Sequence, residues 1–188
     1  MNVIFLDFDG VIDTNKCISD EYMEGKVKLL ASICKEFDCK VVISSSRKEF
    51  IDGNTIEVKE DIKWIRNILQ WMKKYGIECI SVTPTIGKQV SEYHYMPIWK
   101  EFEIITYLKE HPNVKHYCVI DDDDLGPRNS DLNLVRDHLV TTLMYADNIE
   151  DQGLLESHRK LIGEILKKDI DYEKLPVLDD MPLRRQYE

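Results

Sequence analysis

Two aspartates, Asp7 and Asp9, stand one residue apart directly after the apolar run at residues 3–6. A carboxylate inside a buried strand would lose its water without gaining a partner, so the pair is expected just beyond the strand's carboxyl end. Open parallel sheets bind ligands in crevices at these ends, where two acids can share a cation. Gly10 then permits a sharp turn. An ordinary Asp-Gly turn does not need Asp7, so the pair indicates a functional site.

Two further apolar runs also end in polar side chains. The run at residues 40–43 is followed by hydroxyl and guanidinium groups, namely Ser44, Ser45, Ser46 and Arg47. The run at residues 117–120 is followed by four aspartates at residues 121–124. Both runs have the length and β-branched or aromatic content of buried strands. Alone, the serines would be a cap or turn and the aspartates a solvated loop. Behind an apolar strand, at least one of these aspartates is expected to bind a metal ion.

A lysine at a helix start completes the set. Residues 97–108 have apolar positions at helical spacing, and Lys100 lies near their amino-terminal end. The helix dipole favours anions there, so a lysine is explained if it neutralises an anion in an adjacent crevice. A plain surface lysine fits Lys100 equally well when it is considered alone.

Taken in order, these residues resemble the motifs of a haloacid dehalogenase (HAD) superfamily phosphohydrolase. The segment at residues 7–11 resembles the first motif, and Lys100 resembles the basic third motif. The second-motif hydroxyl corresponds to Ser44, with Ser45 as the competing register, and the acidic fourth motif corresponds to Asp121 and Asp122.

The pattern is also similar to the HAD domain of Swiss-army-knife RNA-repair proteins, over residues 1 to about 166. The similar segments are residues 42–47, residues 82–84, Lys100 with Glu103 and Ile104, and residues 119–123. Arg47 departs from the pattern, because an aromatic residue is expected between the serines and the arginine.

The resemblance implies a Mg²⁺-dependent phosphohydrolase that forms an aspartyl-phosphate. Asp7 would attack phosphorus, and Asp9 would protonate the leaving oxygen and then activate water. Lys100 would help to offset the phosphate charge, and Asp121 would bond to a metal-bound water or to Lys100. The metal ligands are expected to be Asp7, Asp9, Asp122 and Asp121. The substrate is expected to contact Ser44 or Ser45, Gly10 and Arg47.

The chain reads as alternating strands and helices, which predicts a three-layer α/β/α, Rossmann-like core with a mainly parallel sheet. The predicted strands are residues 2–7, 40–44, 78–82, 116–120 and 138–142. The predicted helices are residues 19–37, 59–74, 99–110 and 148–168. Residues 1–168 are expected to form the catalytic domain, and residues 169–188 a loosely docked tail.

This family carries caps after the first motif or between the second and third motifs. Here residues 12–39 hold little beyond one helix, and residues 47–99 hold a helix, a strand and two loops that the core itself can absorb. The enzyme is therefore expected to be capless or minimally capped. Polar loops at residues 47–58 and 84–97 would then form the rim of an open site. Such a site can admit a large phosphorylated substrate, for example a nucleic-acid end. In the second loop Tyr93, His94 and Tyr95 could stack on a nucleobase, but ordinary loop packing is the favoured explanation of these residues.

Composition fits a single globular domain that is neither disordered nor membranous. The chain has 188 residues, of which 43% are hydrophobic and 32% charged. No apolar run approaches the roughly 20 residues of a membrane span, and no secretory leader is recognised at the start. The five cysteines lack zinc-like or redox-like spacing. A cytoplasmic location is therefore expected.

The substrate could be a nucleic-acid end, a nucleotide or a small metabolite. A formal net charge of −10 disfavours general attraction to nucleic acid. The sequence leaves the oligomeric state and the choice between 3′ and 5′ phosphates open. A non-catalytic phosphate-binding module and a response-regulator receiver are the competing classes. A receiver is disfavoured because its acid pair precedes the phosphorylated aspartate, whereas here the first strand leads into Asp-x-Asp-Gly.

Overall fold

The computed structural model describes residues 1–14, 19–91, 94–97, 100–123, 125 and 135–175. In chain order its strands are β1 (Asn2–Leu6), β2 (Cys39–Ile43), β3 (Ile51–Asp52), β4 (Glu57–Val58), β5 (Cys79–Val82), β6 (Gly87–Ser91), β7 (His94–Pro97), β8 (His116–Asp121) and β9 (Leu139–Thr141). The helices are α1 (Asp20–Phe37), α2 (Lys63–Lys74), α3 (Lys100–Glu110) and α4 (His158–Ile165).

The main sheet of the described chain has five strands in the order β5-β2-β1-β8-β9. Every neighbouring pair in it is parallel, which confirms the predicted α/β fold class. Counted along the chain, these five strands lie in the order 3-2-1-4-5. A flavodoxin-like receiver has the order 2-1-3-4-5 instead, so the topology argues against that class. The strand order reverses between β1 and β8, and ligands of such sheets bind at this switch point.

Helices cover both faces of the sheet, giving the predicted three layers. On one face, alternate strand residues such as Leu6 and Ile43 pack with apolar residues of α1, α2 and α4. On the other face, Phe5 and Val42 pack with residues of α3. Burial on both faces explains why the strands are continuous apolar runs rather than alternating ones.

Two of the predicted helices are shorter in the structure. The helix predicted from residue 59 begins at Lys63, because the Lys59 N–H bonds to the Phe50 carbonyl (2.8 Å) beside the β3–β4 hairpin.

The helix predicted over 148–168 is divided into a 3-10 turn (Ile149–Asp151) and α4. Between these two, Gly153 has a φ of +67° and the Leu154 N–H bonds to the Val11 carbonyl (2.9 Å). The chain is thus held against the loop after β1 and cannot continue as helix there.

The two predicted rim loops contain short regular elements. Residues 46–50 form a 3-10 turn, β3 pairs antiparallel with β4, and β6 pairs antiparallel with β7. Prediction of plain loops was therefore wrong at these positions. Strands β3 and β4 have only two residues each, which is too short to show a period. Between β2 and α3 the described residues hold only this 3-10 turn, the two hairpins, α2 and β5, which agrees with a minimally capped core.

The end of the described chain contacts the core. The Tyr172 hydroxyl donates to the Val114 carbonyl (2.7 Å), and Leu175 is buried. The remaining part of the predicted tail, residues 176–188, lies outside the described residues, and the division at residue 168 stays a prediction. No helix in the described ranges has both the length and the apolar character needed to cross a membrane.

Candidate active site

Three predicted site residues lie side by side at the carboxyl edge of the sheet. Leu6 is in register with Ile43 on one side and Ile120 on the other. The next residue of each strand path is therefore Asp7, Ser44 or Asp121. The Asp7 N–H bonds to the Ile120 carbonyl (3.0 Å), and the Ser44 N–H bonds to the Leu6 carbonyl (2.8 Å). The parallel register thus places these functional groups on neighbouring strands at the same level.

Lys100 joins the two aspartates at this edge. Its Nζ lies 2.6 Å from Asp7 Oδ2 and 2.6 Å from Asp121 Oδ2. Burial lowers the pKa of Lys100, but Asp121 and Asp7 outweigh burial and raise it above its usual value. Lys100 is therefore a charged ammonium bound between two carboxylates. Burial also raises the pKa of Asp121, against the lowering effect of Lys100.

Asp7, Asp121 and Asp122 form an acidic cluster suited to a divalent cation. One carboxylate oxygen from each lies within 4.8 Å of the others. Burial, followed by the charge of Asp7, raises the pKa of Asp122 to about 6. The cluster therefore carries closely spaced negative charge that a cation would relieve. Oxygen donors of this kind are the ligands that Mg²⁺ prefers, so the residues fit the predicted metal.

Gly10 provides the space for Asp122. Its φ is +70°, and a Cβ added there would lie 2.2 Å from the Asp122 side chain. The Gly10 carbonyl accepts a hydrogen bond from the Thr142 hydroxyl at 2.7 Å, which ties the turn to the end of β9. Contact of Gly10 with the substrate stays a prediction; in the structure the absence of a side chain at Gly10 leaves room for the Asp122 carboxylate.

Asp9 lies beside Arg47 rather than in the acidic cluster of the described residues. Arg47 donates from Nε to Asp9 Oδ2 at 2.9 Å, and its guanidinium lies 5.9 Å from the centre of the Trp64 ring. Burial and the nearby charge of Asp9 raise the pKa of Asp13. The assignment of Asp9 as a metal ligand stays a prediction. Sequence reasoning missed Trp64, which gave no signal other than an apolar position in a helix.

The two candidate serines differ in their partners. Ser45 Oγ accepts from the Arg47 N–H (3.2 Å) and caps the 3-10 turn at residues 46–50. Ser44 Oγ is fully buried and has no hydrogen-bond partner among the described residues. A buried hydroxyl normally finds a partner, so Ser44 is the better candidate to bind a phosphoryl oxygen.

Sequence reasoning also missed Lys48, which it placed in a polar loop. Lys48 is buried and forms an ion pair with Glu103 on α3. Of the expected rim residues, Tyr93 lies outside the described residues, and for His94 and Tyr95 only the backbone, within β7, is described. Asp124, the last of the four consecutive aspartates, also lies outside the described residues.

Comparison with known protein families gives one match. The family model described as "HAD domain in Swiss Army Knife RNA repair proteins" matches residues 3–146. The matched region contains every predicted catalytic and metal-binding residue. Comparisons with curated proteins and with solved structures found no match.

Proposed function

Because the chain belongs to the family of HAD domains found in Swiss Army Knife RNA repair proteins, we propose that it is a Mg²⁺-dependent phosphomonoesterase. Membership of this family suggests a phosphohydrolase-type function. The observation that carries the proposal is the contact of Lys100 Nζ with Asp7 and Asp121, at 2.6 Å each, beside the third carboxylate, Asp122. A fold that only binds phosphate would gain nothing from a buried carboxylate directed at the ligand, so a purely binding role is disfavoured.

Asp7 is the proposed nucleophile. It would attack phosphorus in line, forming an aspartyl-phosphate as the alcohol oxygen leaves. Its other oxygen, Oδ1, accepts from the Phe8 N–H at 2.7 Å, which fixes the orientation of the carboxylate. Lys100 would hold Asp7 in place and attract the phosphate oxygens. Ser44 Oγ would donate to a phosphoryl oxygen.

Asp9 is the proposed general acid and base. As an acid it would protonate the leaving oxygen, and as a base it would take a proton from the water that attacks the aspartyl-phosphate. Its contact with Arg47 (2.9 Å) orients the carboxylate, and in this mechanism Arg47 would lie close to the departing group.

Asp7, Asp121 and Asp122 are the residues that would hold Mg²⁺. The bound ion would offset the negative charge of the phosphate ester and of the attacking carboxylate. Without that compensation, a carboxylate approaching a phosphate dianion is repelled.

The proposed substrate is a phosphorylated nucleic-acid end or a nucleotide, and a small phosphorylated metabolite is the alternative. The support is the minimally capped site and the half-buried Trp64 under Arg47, close to the expected leaving group. An aromatic ring beside a guanidinium suits a nucleobase. The net charge of −10 argues for few, local contacts with a nucleic acid.

The first test is hydrolysis of an aryl phosphate with and without Mg²⁺. The expected result is turnover with Mg²⁺ and loss of turnover on chelation. If neither the aryl phosphate nor a panel of phosphorylated RNA, DNA, nucleotides and sugars is hydrolysed, the result favours a non-catalytic phosphate-binding module instead. A receiver would retain phosphate from a small donor without turnover.

The second test compares catalytic efficiency on an oligonucleotide phosphate with that on sugar phosphates. A higher value for the oligonucleotide is expected, and a clear preference for sugar phosphates would leave the metabolite alternative. Tyr93→Ala and Tyr95→Ala should raise the Michaelis constant for the oligonucleotide. Cleavage of the aryl phosphate should hardly change, because stacking contributes only where a base is present.

A further inference from the structure

A second buried ion pair, Lys48 with Glu103, lies next to the proposed catalytic groups. The side chains are only 6% and 10% exposed. Burying two opposite charges is costly, and a pair of apolar residues would often stabilise a fold as well or better. The pair therefore invites an explanation other than stability.

The hydrogen bonds of Lys48 are complete. Besides Glu103, its Nζ donates to Thr83 Oγ1 (2.9 Å) and to the Pro84 carbonyl (3.2 Å). An ammonium group has three donors, so no donor of Lys48 remains for a substrate. Lys48 is thus not a substrate-binding residue in this arrangement.

Glu103 connects the same region to α3. One carboxylate oxygen bonds to Lys48, and the other accepts from the Ile86 N–H at 3.3 Å. Glu103 follows Lys100 by three residues, so the two side chains lie on the same side of the helix, one turn apart. Lys48 follows Ser44 and Ser45 closely in the chain, in the 3-10 turn at residues 46–50.

Lys48 also lies within electrostatic range of the proposed catalytic groups. Burial lowers the pKa of Lys48 and outweighs Glu103, which raises it. The charges at the site act on the same pKa, since Lys100 lowers it and Asp7 raises it. The ion pair thus joins three segments at one point beside the site: the turn after β2, residues 83–86 after β5, and the first turn of α3.

We propose that Lys48 and Glu103 are positioning residues. They fix the first turn of α3 against the 3-10 turn at residues 46–50 and so hold Lys100 at its contacts with Asp7 and Asp121. The catalytic consequence rests on the proposed phosphatase function. The effect of the ion pair on the position of Lys100 does not depend on that proposed function. Lys100 Nζ must lie within hydrogen-bond distance of two carboxylates on two strands, and a shift of about 1 Å at such a group can cost about 100-fold in rate.

The test uses Glu103→Gln, Lys48→Met and the double variant. Each substitution nearly preserves side-chain volume, and the double variant removes both buried charges. The matched control is Glu78→Gln, which breaks the exposed Lys40–Glu78 pair far from the carboxyl edge. The measurements are melting temperature, kcat and KM for an aryl phosphate with Mg²⁺, and crystal structures of the wild type and the double variant.

We expect both single variants to melt lower, because each leaves one buried charge unpaired. The double variant should recover most of the melting temperature, yet its kcat should stay about 10- to 100-fold below wild type at nearly unchanged KM. In its crystal structure Lys100 Nζ should have left at least one of its two carboxylate partners. Glu78→Gln should resemble wild type in every measurement.

The proposal is overturned if the double variant regains kcat together with its melting temperature, because the pair then serves stability alone. It is also overturned if Lys100 keeps both contacts in the double variant. If the wild type hydrolyses no phosphate ester, the proposed function fails, and the crystal structures still decide whether the pair positions Lys100. If the double variant does not fold, Glu103→Gln, which retains the acceptor for the Ile86 N–H, decides by the same kcat and structural criteria.

Discussion

Gly10→Ala should disable the acidic cluster without removing any charged group. An alanine Cβ at this position would lie 2.2 Å from Asp122 Cγ and 2.4 Å from Asp122 Cβ. Ordinary van der Waals contact begins at 3.4 Å, so Asp122 would have to move by about 1 Å. Because the clash includes the Cβ of Asp122, a rotation of the carboxylate alone does not relieve it.

The two costs of this substitution can be separated. The backbone at Gly10 has a φ of +70°, which costs a non-glycine residue about 1–2 kcal/mol. For a chain of this size that corresponds to a fall in melting temperature of about 2–8 °C. The displacement of Asp122 should appear separately, as a loss of about 100-fold in kcat/KM and a higher Mg²⁺ requirement.

The assay is a Mg²⁺ titration of aryl phosphate hydrolysis, together with thermal melting in the presence of a chelator. Gly25→Ala is the matched control, because a Cβ at Gly25 in α1 would have no atom within 4 Å. An alanine in a helix interior should stabilise the fold by up to about 1 kcal/mol and leave Mg²⁺ dependence unchanged. If Gly10→Ala keeps a Mg²⁺ dependence within about twofold of Gly25→Ala, the steric reasoning is refuted.

Three further outcomes are expected. Asp7→Asn should abolish turnover while the protein stays folded, and activity within about tenfold of wild type would exclude Asp7 as the nucleophile. Asp122→Ala should weaken Mg²⁺ activation far more than Asp124→Ala, and equal effects would mean that the metal-binding register is wrong. Burial lowers the pKa of His138, whose ring stacks on Tyr117 at 4.0 Å, so the folded state favours the neutral ring. Its stabilising contribution should therefore be present above the ordinary pKa of 6.5 and be lost as the pH falls from there toward the folded pKa. Melting curves of wild type and His138→Gln between about pH 7 and pH 5 test this, and parallel pH dependence in the two proteins would contradict it.

Much of the arrangement around Asp7 could be predicted from the sequence. Apolar runs of strand length, each ending in a polar group, indicate a parallel sheet with a polar edge. The register of such a sheet follows from its hydrogen bonds, so Asp7, Ser44 and Asp121 had to meet at one edge once their strands became neighbours. The start of α1 was also predictable, because Ser19 has the side chain that caps a helix and does accept from the Tyr22 N–H.

Other features could not be predicted, because they depend on contacts between distant segments. Lys48 looks like a loop lysine until α3 places Glu103 beside it, 55 residues away in the chain. The break before α4 depends on the hydrogen bond from the Leu154 N–H to the carbonyl of Val11, which is remote in sequence. The same holds for Trp64, which α2 carries to Arg47.

The sequence by itself determined which groups stand at the candidate site, since the carboxylates, the hydroxyl and the lysine are read directly from their positions at the ends of strands and helices. Those positions depend on local periodicity, which a single chain displays in full. Only the tertiary structure decided which carboxylate oxygen contacts which lysine or arginine side chain. It separated Asp9 from the acidic cluster, left Ser44 Oγ without a hydrogen-bond partner among the described residues while Ser45 capped a turn, and buried Lys48. The physical reason is that hydrogen bonds and ion pairs act over about 3 Å. Which groups come within that distance depends on how α2 and α3 pack on the sheet, and not on their spacing along the chain.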